Sequence, residues 1–162
     1  MCVNRCQPGW YADNVTGFCN TQCSINLWAD NSTGRCVSKC PSTPDFFGYL
    51  KVCHFPCPKP DANTYLFAEN ITRECLLLCP NGSYADKYNR RCMDVCTLKH
   101  YAYTNVVSSV VHNLCAEMCP EGLYASDKTK SCVPVCDLGT YGENVTNKCL
   151  KSCPTATYAD DF

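Results

Sequence analysis

Cysteine is the residue whose type and spacing could do chemistry here. The 162-residue chain holds 18 cysteines, at 2/6, 19/23, 36/40, 53/57, 75/79, 92/96, 115/119, 132/136 and 149/153. These are nine pairs, each spaced C-x3-C, and successive pairs are 17, 17, 17, 22, 17, 23, 17 and 17 residues apart. Thiols in such numbers bind metal, act as nucleophiles or cross-link. Zinc modules combine a few ligand pairs, often with histidine. Nine identical pairs beside only three scattered histidines, His54, His100 and His112, do not fit that pattern. No Ser/His/Asp or Cys/His grouping is legible, since every cysteine belongs to the period. The reading is therefore disulfide cross-linking, with no catalytic, cofactor-binding or metal-ligating residue assigned and no enzymatic activity expected.

Two further residue types recur in phase. The sequon Asn-x-Ser/Thr occurs at Asn14, Asn31, Asn70, Asn81 and Asn144, and all but Asn81 sit five residues before a cysteine. An N-linked glycan needs an exposed turn in a secretory context. The same Asp-Asn string is also a good turn former in its own right. Asp13, Asp30, Glu69, Asp86, Glu143 and Asp160 recur one residue before that point. One carboxylate per turn is too few for the six to eight oxygens of a calcium site, so a solvated turn acid is the expectation.

These residues are positioned by a repeat, because self-similarity at a fixed period is the mark of an array. Five residues after the second cysteine of most pairs stands an aromatic: Tyr11, Trp28, Tyr84, Tyr101, Tyr124, Tyr141 and Tyr158. YADNVT, WADNST, FAENIT, YADKYN and YGENVT follow one another in register, and CPNG at Cys79 and CPEG at Cys119 precede them. Pro and Gly in that order favour a type I turn. The aromatics are expected to cover the nearest disulfide as a one-residue core. No stretch shows helical periodicity over three turns. Strands of two to four residues flanking turns are expected.

Composition bounds the rest. Cysteine above about 8–10% marks a disulfide scaffold, and disulfides on this scale persist in an oxidising compartment. The net charge is −1 with no basic cluster, so no nucleic acid partner is expected. The longest apolar runs, Leu76-Leu77-Leu78 and Val106-Val107, are too short to span a bilayer. Met1 leads straight into Cys2, which suggests a piece of a longer secreted or surface protein, or a mature form without its leader.

All length variation falls in the long gaps. Between Cys57 and Cys75 the excess sits early, in PKPDANTYL; between Cys96 and Cys115 it sits late, in TNVVSSVVHNL. The Cys40 to Cys53 repeat keeps its length but carries Asp45-Phe46-Phe47 where the aromatic should stand. Loops tolerate insertions, which favours closing each long gap: Cys6–Cys19, Cys23–Cys36, Cys40–Cys53, Cys57–Cys75, Cys79–Cys92, Cys96–Cys115, Cys119–Cys132 and Cys136–Cys149. Cys2 and Cys153 then bond outside residues 1–162. Two alternatives stay open: bonding inside each C-x3-C pair, and cross-linking of neighbouring pairs as 2–19 with 6–23.

The string C-x3-CPxGxYAD…C resembles the furin-like and growth-factor-receptor cysteine-rich repeats. It is especially similar to the 17-residue arrays of cysteine-rich surface proteins of ciliates and other protists. The resemblance implies one disulfide per loop, a row of small knuckles and no catalytic residues. The expected fold is small and disulfide-rich. Tandem single-disulfide loop repeats (6–22, 23–39, 40–56, 57–78, 79–95, 96–118, 119–135, 136–152 and a partial 153–162) form one continuous array, an elongated rod with short β-hairpins. The expected function is that of an extracellular or cell-surface structural glycoprotein, part of a coat, stalk or filament. Its partners would be N-linked glycans and further repeats, by self-association or end-to-end continuation. The alternative is a receptor or adhesin ectodomain segment binding through loops 58–74 and 97–114. A disulfide-rich protease inhibitor is a more distant reading.

Overall fold

The computed structural model describes residues 2–43, 45–97 and 99–158, and Asp160 lies outside them. It divides into two compact units, Met1–Leu77 and Leu78–Phe162. Eight disulfides close eight consecutive loops: Cys6–Cys19, Cys23–Cys36, Cys40–Cys53 and Cys57–Cys75 in the first unit, and Cys79–Cys92, Cys96–Cys115, Cys119–Cys132 and Cys136–Cys149 in the second. A loop of this length, cross-linked, is worth about 3 kcal/mol in the chain-entropy model. That is the stabilisation a chain with so few large buried side chains requires.

Each loop contains one β-hairpin. The first unit carries β1 (Tyr11–Asp13), β2 (Phe18–Asn20), β3 (Trp28–Asp30), β4 (Arg35–Val37), β5 (Phe47–Tyr49), β6 (Val52–His54), β7 (Phe67–Glu69) and β8 (Glu74–Leu76). The second carries β9 (Tyr84–Asp86), β10 (Arg91–Met93), β11 (Tyr101–Val107), β12 (Val110–Ala116), β13 (Tyr124–Ser126), β14 (Ser131–Val133), β15 (Tyr141–Glu143) and β16 (Lys148–Leu150). No helix occurs among the described residues, and none there could cross a membrane.

The repeated triplet explains the hairpin. In five of the eight hairpins the opening strand is aromatic, small residue, acid, with Tyr49, Tyr103 and Ser126 in the acid's place in the others, and in all but β12 the closing strand has cysteine at its centre. Ala12 faces Cys19, Ala29 faces Cys36 and Ala125 faces Cys132 in antiparallel register. Within each unit an opening strand pairs in parallel with the closing strand of the next hairpin: Ala12 with Arg35, Ala29 with Val52 and Gly48 with Glu74 in the first unit. In the second unit Ala85 pairs with Leu114, Ala102 with Ser131 and Ala125 with Lys148. Strands this short, from an isolated hairpin, would be marginal in water. The disulfide and the neighbouring repeat make up the deficit.

The irregular repeats keep the same plan. In the third, the Phe46-Phe47 displacement is absorbed by the turn. Phe47 takes the aromatic place two residues late, and the loop shrinks to Leu50-Lys51, both at positive φ (46° and 65°), as a type I′ turn requires. In the sixth, the late insertion is not an irregular loop: it extends the hairpin to seven residues a side, closed by Ser108-Ser109 at φ 50° and 66°. In the fourth, the early insertion folds on Asp61, whose carboxylate accepts from the amides of Asn63 and Thr64 and from the Thr64 hydroxyl. The insertion also delivers Leu66 to a core with Phe47, Cys57, Ala68 and Cys75.

Candidate functional site: the repeat junctions and the sequon turns

The aromatic of one repeat covers the disulfide of the next one. Phe47 packs on Cys57, Cys75 and Ala68 of the fourth repeat. Tyr101 packs on Cys119, Ala125 and, more loosely, Cys132 of the seventh. The small residue at the centre of each opening strand follows from this. A Cβ at Gly48 would stand 2.7 Å from the Trp28 ring, and one at Gly142 would stand 2.6 Å from the Tyr124 ring. Alanine fills the place elsewhere.

A residue of the next turn lies over the same ring. The last turn residue before the closing strand is in the left-handed region: Gly17, Gly34, Lys51, Arg73, Arg90, Ser109, Lys130 and Asn147. Its carbonyl accepts from the preceding repeat's small residue in five junctions: Ala12 to Gly34, Ala29 to Lys51, Gly48 to Arg73, Ala102 to Lys130 and Ala125 to Asn147. Three of the cationic ones reach the ring: Lys51 Nζ is 5.6 Å from the Trp28 centroid, Arg73 Cζ 4.1 Å from Phe47 and Lys130 Nζ 5.4 Å from Tyr101. Left-handed backbone outside glycine costs about 1–3 kcal/mol, and a cation–π contact returns about 0.5–2 kcal/mol. Arg73 adds bonds to Asp45 (3.1 Å) and to the carbonyls of Pro41 (2.9 Å) and Phe46 (2.7 Å).

Four of the phased acids are buried, which corrects the solvated reading, and Glu143 is half-buried. Asp13 is 2% exposed, Asp30 and Asp86 0% and Glu69 6%. Each carboxylate accepts from the turn that follows it: Asp13 from Val15 N, Asp30 from Ser32 N, Glu69 from Ile71 N and Thr72 N, Glu143 from Val145 N and Thr146 N. The second oxygen's partner depends on the residue after the next repeat's opening cysteine. Where that residue has a hydroxyl, the acid reaches across: Asp13 accepts from Ser24 N and Oγ, and Asp86 from Thr97 Oγ1 at 2.8 Å. In the seventh repeat the roles reverse, with Ser126 Oγ donating to Asp137 at 2.8 Å. Where the residue is proline (positions 41, 80 and 154), the acid turns back to its own loop. Asp30 then accepts from Thr33, Glu69 from Thr72 and Glu143 from Thr146.

These bonds set the carboxyl titration. The Ser24 hydroxyl and amide hold Asp13 down to about 2 against the opposing effect of burial. Burial pushes Asp30 up, but the bonds from Thr33 and Ser32 outweigh it and the group lies below its usual range. Glu69 is likewise opposed by burial and lowered by the Thr72 and Ile71 bonds. Thr146 lowers Glu143.

All five sequon asparagines are exposed. Asn14, Asn31, Asn70 and Asn144 hold the first position of the hairpin turn, directly after the acid; Asn81 lies in the Pro80–Gly82 turn. In three of the four hairpin sequons the hydroxyl residue also serves the turn, since Thr33, Thr72 and Thr146 donate to the acid. The asparagine is less constrained, because Lys87 and Asp127 fill its place in other repeats. Its side-chain oxygen has a second use: Tyr124 OH donates to Asn144 Oδ1 at 2.6 Å and Tyr11 OH to Asn31 Oδ1 at 2.5 Å. Asp127 accepts from Tyr101 in the same way at 2.9 Å. Phe47, which precedes Asn70 in the array, has no hydroxyl to give, so this use does not account for the sequon there.

Cys2 and Cys153 are unbonded, Cys2 exposed and Cys153 half-buried. Of the two long loops, 58–74 tucks Leu66 inside (1% exposed), while the 97–114 hairpin exposes Val106, Val107, Val110 and Val111 at its tip (42–62% exposed). Comparison with protein families, characterised proteins and solved structures finds no match. The chain is a cysteine-rich repeat array on its own evidence. Sequence inspection missed the junction chemistry. The signal for it was the pairing of Asp13 with Ser24, Asp86 with Thr97 and Ser126 with Asp137, each eleven residues apart.

Proposed function

We propose that this chain is a structural segment of an extracellular, N-glycosylated repeat array of the furin-like single-disulfide kind, working in a surface coat, stalk or filament. One observation carries the reading: the same junction recurs along each unit, so that ring, small residue and left-handed carbonyl join one repeat to the next. Nearest-neighbour stacking of this kind lets an array grow by adding repeats. The turns carrying Asn14, Asn31, Asn70 and Asn144 lie at one phase of the repeat, so glycans there would clothe the same turn of each of those repeats; Asn81 would add one more. Eight disulfides fit an oxidising, secretory setting.

Secretion of residues 1–162 from a eukaryotic cell tests this. Mass spectrometry before and after enzymatic deglycosylation should find glycan on at least three of the four phased asparagines. Unreduced peptide mapping should join Cys79 to Cys92 and Cys119 to Cys132. Bare asparagine at three of the four, or Cys75 joined to Cys79, overturns the reading.

A second reading rests on the exposed valines of the sixth-repeat hairpin. There the chain is a receptor or adhesin segment contacting a partner through the loops 97–114 and 58–74. Threonine at positions 106, 107, 110 and 111 separates the two. Assembly on the producing cell should be unchanged under the structural reading and lost under the recognition reading.

A further inference from the structure

Successive hairpins of the second unit turn at opposite edges of the sheet. β12 runs parallel to β9, β14 to β11 and β16 to β13. The fifth and seventh hairpins therefore turn at one edge, and the sixth and eighth at the other. Both sequons of this unit belong to the second of these edges, Asn144 in the eighth hairpin's turn and Asn81 in the turn ahead of β9. The fifth hairpin's turn holds Lys87, Tyr88 and Asn89 where Asn-x-Thr stands in the eighth, so no acceptor asparagine sits over it.

A groove of about 500 Å³ opens at this turn, lined by Tyr88 and Asn89 of the fifth repeat and by Thr97 and His100 of the sixth. Tyr88 is 84% exposed, and its ring offers an aromatic face for stacking. Beneath it the buried Asp86 accepts from Tyr88 N (2.8 Å), Asn89 Nδ2 (3.0 Å) and Thr97 Oγ1 (2.8 Å). Those bonds spend donors on the acid and leave Asn89 Oδ1 and Thr97 Oγ1 as acceptors. His100 Nδ1 is buried without a partner, so Nε2 is the ring nitrogen left for a ligand. Lys87 and Lys99 adjoin Tyr88 and His100, are exposed, and form no ion pair among the described residues. Repeat geometry does not ask for these residue types. At the first junction the lining places hold Val15, Thr16, Ser24 and Leu27, and at the seventh Lys128, Thr129, Asp137 and Thr140.

We propose that this groove binds an acidic pyranose sugar. The apolar face of the sugar ring lies on Tyr88, its hydroxyls bond Asn89, Thr97 and His100, and its carboxylate sits between Lys87 and Lys99. A mostly apolar platform with a few convergent polar groups is the ordinary make-up of a small-ligand site, and the two lysines select an anion. Such a sugar has two sources, an acidic polysaccharide or the terminal residue of an N-glycan on a neighbouring copy. The site goes beyond the structural reading above and does not depend on glycans on this chain.

The test uses the folded, secreted 1–162 chain after enzymatic removal of its own glycans. Calorimetry and amide NMR follow its titration with a hexamer of galacturonic acid, the matching neutral hexamer of galactose, a sialylated N-glycan and tripolyphosphate. At least one of the two acidic sugars should bind and shift the amides of Tyr88, Asn89, Thr97 and Lys99; which one binds names the source. The neutral hexamer should bind about tenfold more weakly than the acidic one, as loss of one charged contact implies, and rising salt should weaken the acidic sugar alone. Tyr88→Val with His100→Leu installs the first junction's residues, keeps the eight disulfides and should abolish binding. Lys87→Ser with Lys99→Ser, both at exposed positions, should bring the acidic sugar down to the level of the neutral hexamer. The proposal falls if neither acidic sugar binds, if tripolyphosphate binds as tightly as the better sugar, or if the Tyr88→Val, His100→Leu variant binds undiminished. None of these outcomes touches the disulfide plan or the glycans on which the structural reading is tested.

Discussion

The ring of Trp28 occupies the space that a side chain at position 48 would need: its Cε3 lies 2.7 Å from where a Cβ on Gly48 would stand. The contact joins the second repeat to the third, and it explains why glycine stands where most repeats have alanine. Gly48→Ala should lower stability by about 1–3 kcal/mol, the usual cost of overpacking. The measurement is thermal unfolding with disulfides intact. In a Trp28→Leu background the alanine should cost little, because the narrower side chain yields. An equal cost in both backgrounds would mean that the ring does not set the residue at 48.

The acid-to-hydroxyl bond across a junction is written both ways in this chain, as Asp13 with Ser24 and as Ser126 with Asp137. Ser126→Asp alone places two carboxylates against each other, and Asp137→Ser alone leaves two hydroxyls without a charge between them. Each single change should destabilise. The double change rebuilds the first junction's arrangement in the seventh. A double-mutant cycle should show coupling of about 0.5–3 kcal/mol. Additive losses would show that the two side chains act independently.

The left-handed turn residues separate strain from contact. Lys51→Gly relieves backbone strain and removes one ring contact, so its net effect should be near zero. Arg73→Gly relieves the same strain but removes the Phe47 contact, the Asp45 ion pair and two carbonyl bonds. It should cost about 2–4 kcal/mol, in the range for breaking a buried hydrogen-bonded network. Arg73→Lys keeps the charge but not the fork and should recover less than half. Denaturant unfolding of the three variants decides it. Equal effects at 51 and 73 would show that the conformation alone matters.

Much of the plan is legible in the sequence because cysteine spacing is one-dimensional information. The period, the turns and the phase of Asn14, Asn31, Asn70 and Asn144 can all be counted along the chain. What cannot be counted is which repeat a side chain faces. Tyr101 is in phase with its own cysteines, yet it covers Cys119, because the parallel pairing of β11 with β14 carries the ring forward. The acids were misread for the same reason. Asp13 looks like a surface turn residue until Ser24, eleven positions on, folds over it. The displaced Phe47 defeats alignment because two residues added before the aromatic are removed from the turn after it, leaving the cysteine spacing unchanged.

The phased acids also predict how the fold responds to pH. Asp13 is held at about 2, and Asp30, Glu69 and Glu143 lie below their ordinary values. Unfolded Asp and Glu titrate near about 3.9 and 4.3. A carboxyl whose folded pKa is depressed binds protons more readily in the unfolded chain, so stability rises with pH across the interval between the two values. The contribution is complete above about pH 4–5 and is lost as pH falls toward about 2. Unfolding midpoints should therefore be flat from neutral pH to about 5 and then drop, with disulfides intact throughout. Asp13→Asn keeps one carbonyl oxygen for Val15 but carries no titrating proton. It should lower stability at neutral pH and shallow the acid slope, so that variant and parent converge near pH 2. A variant whose slope matched the parent's would show that the acid loss arises elsewhere than at the junction of Asp13 with Ser24.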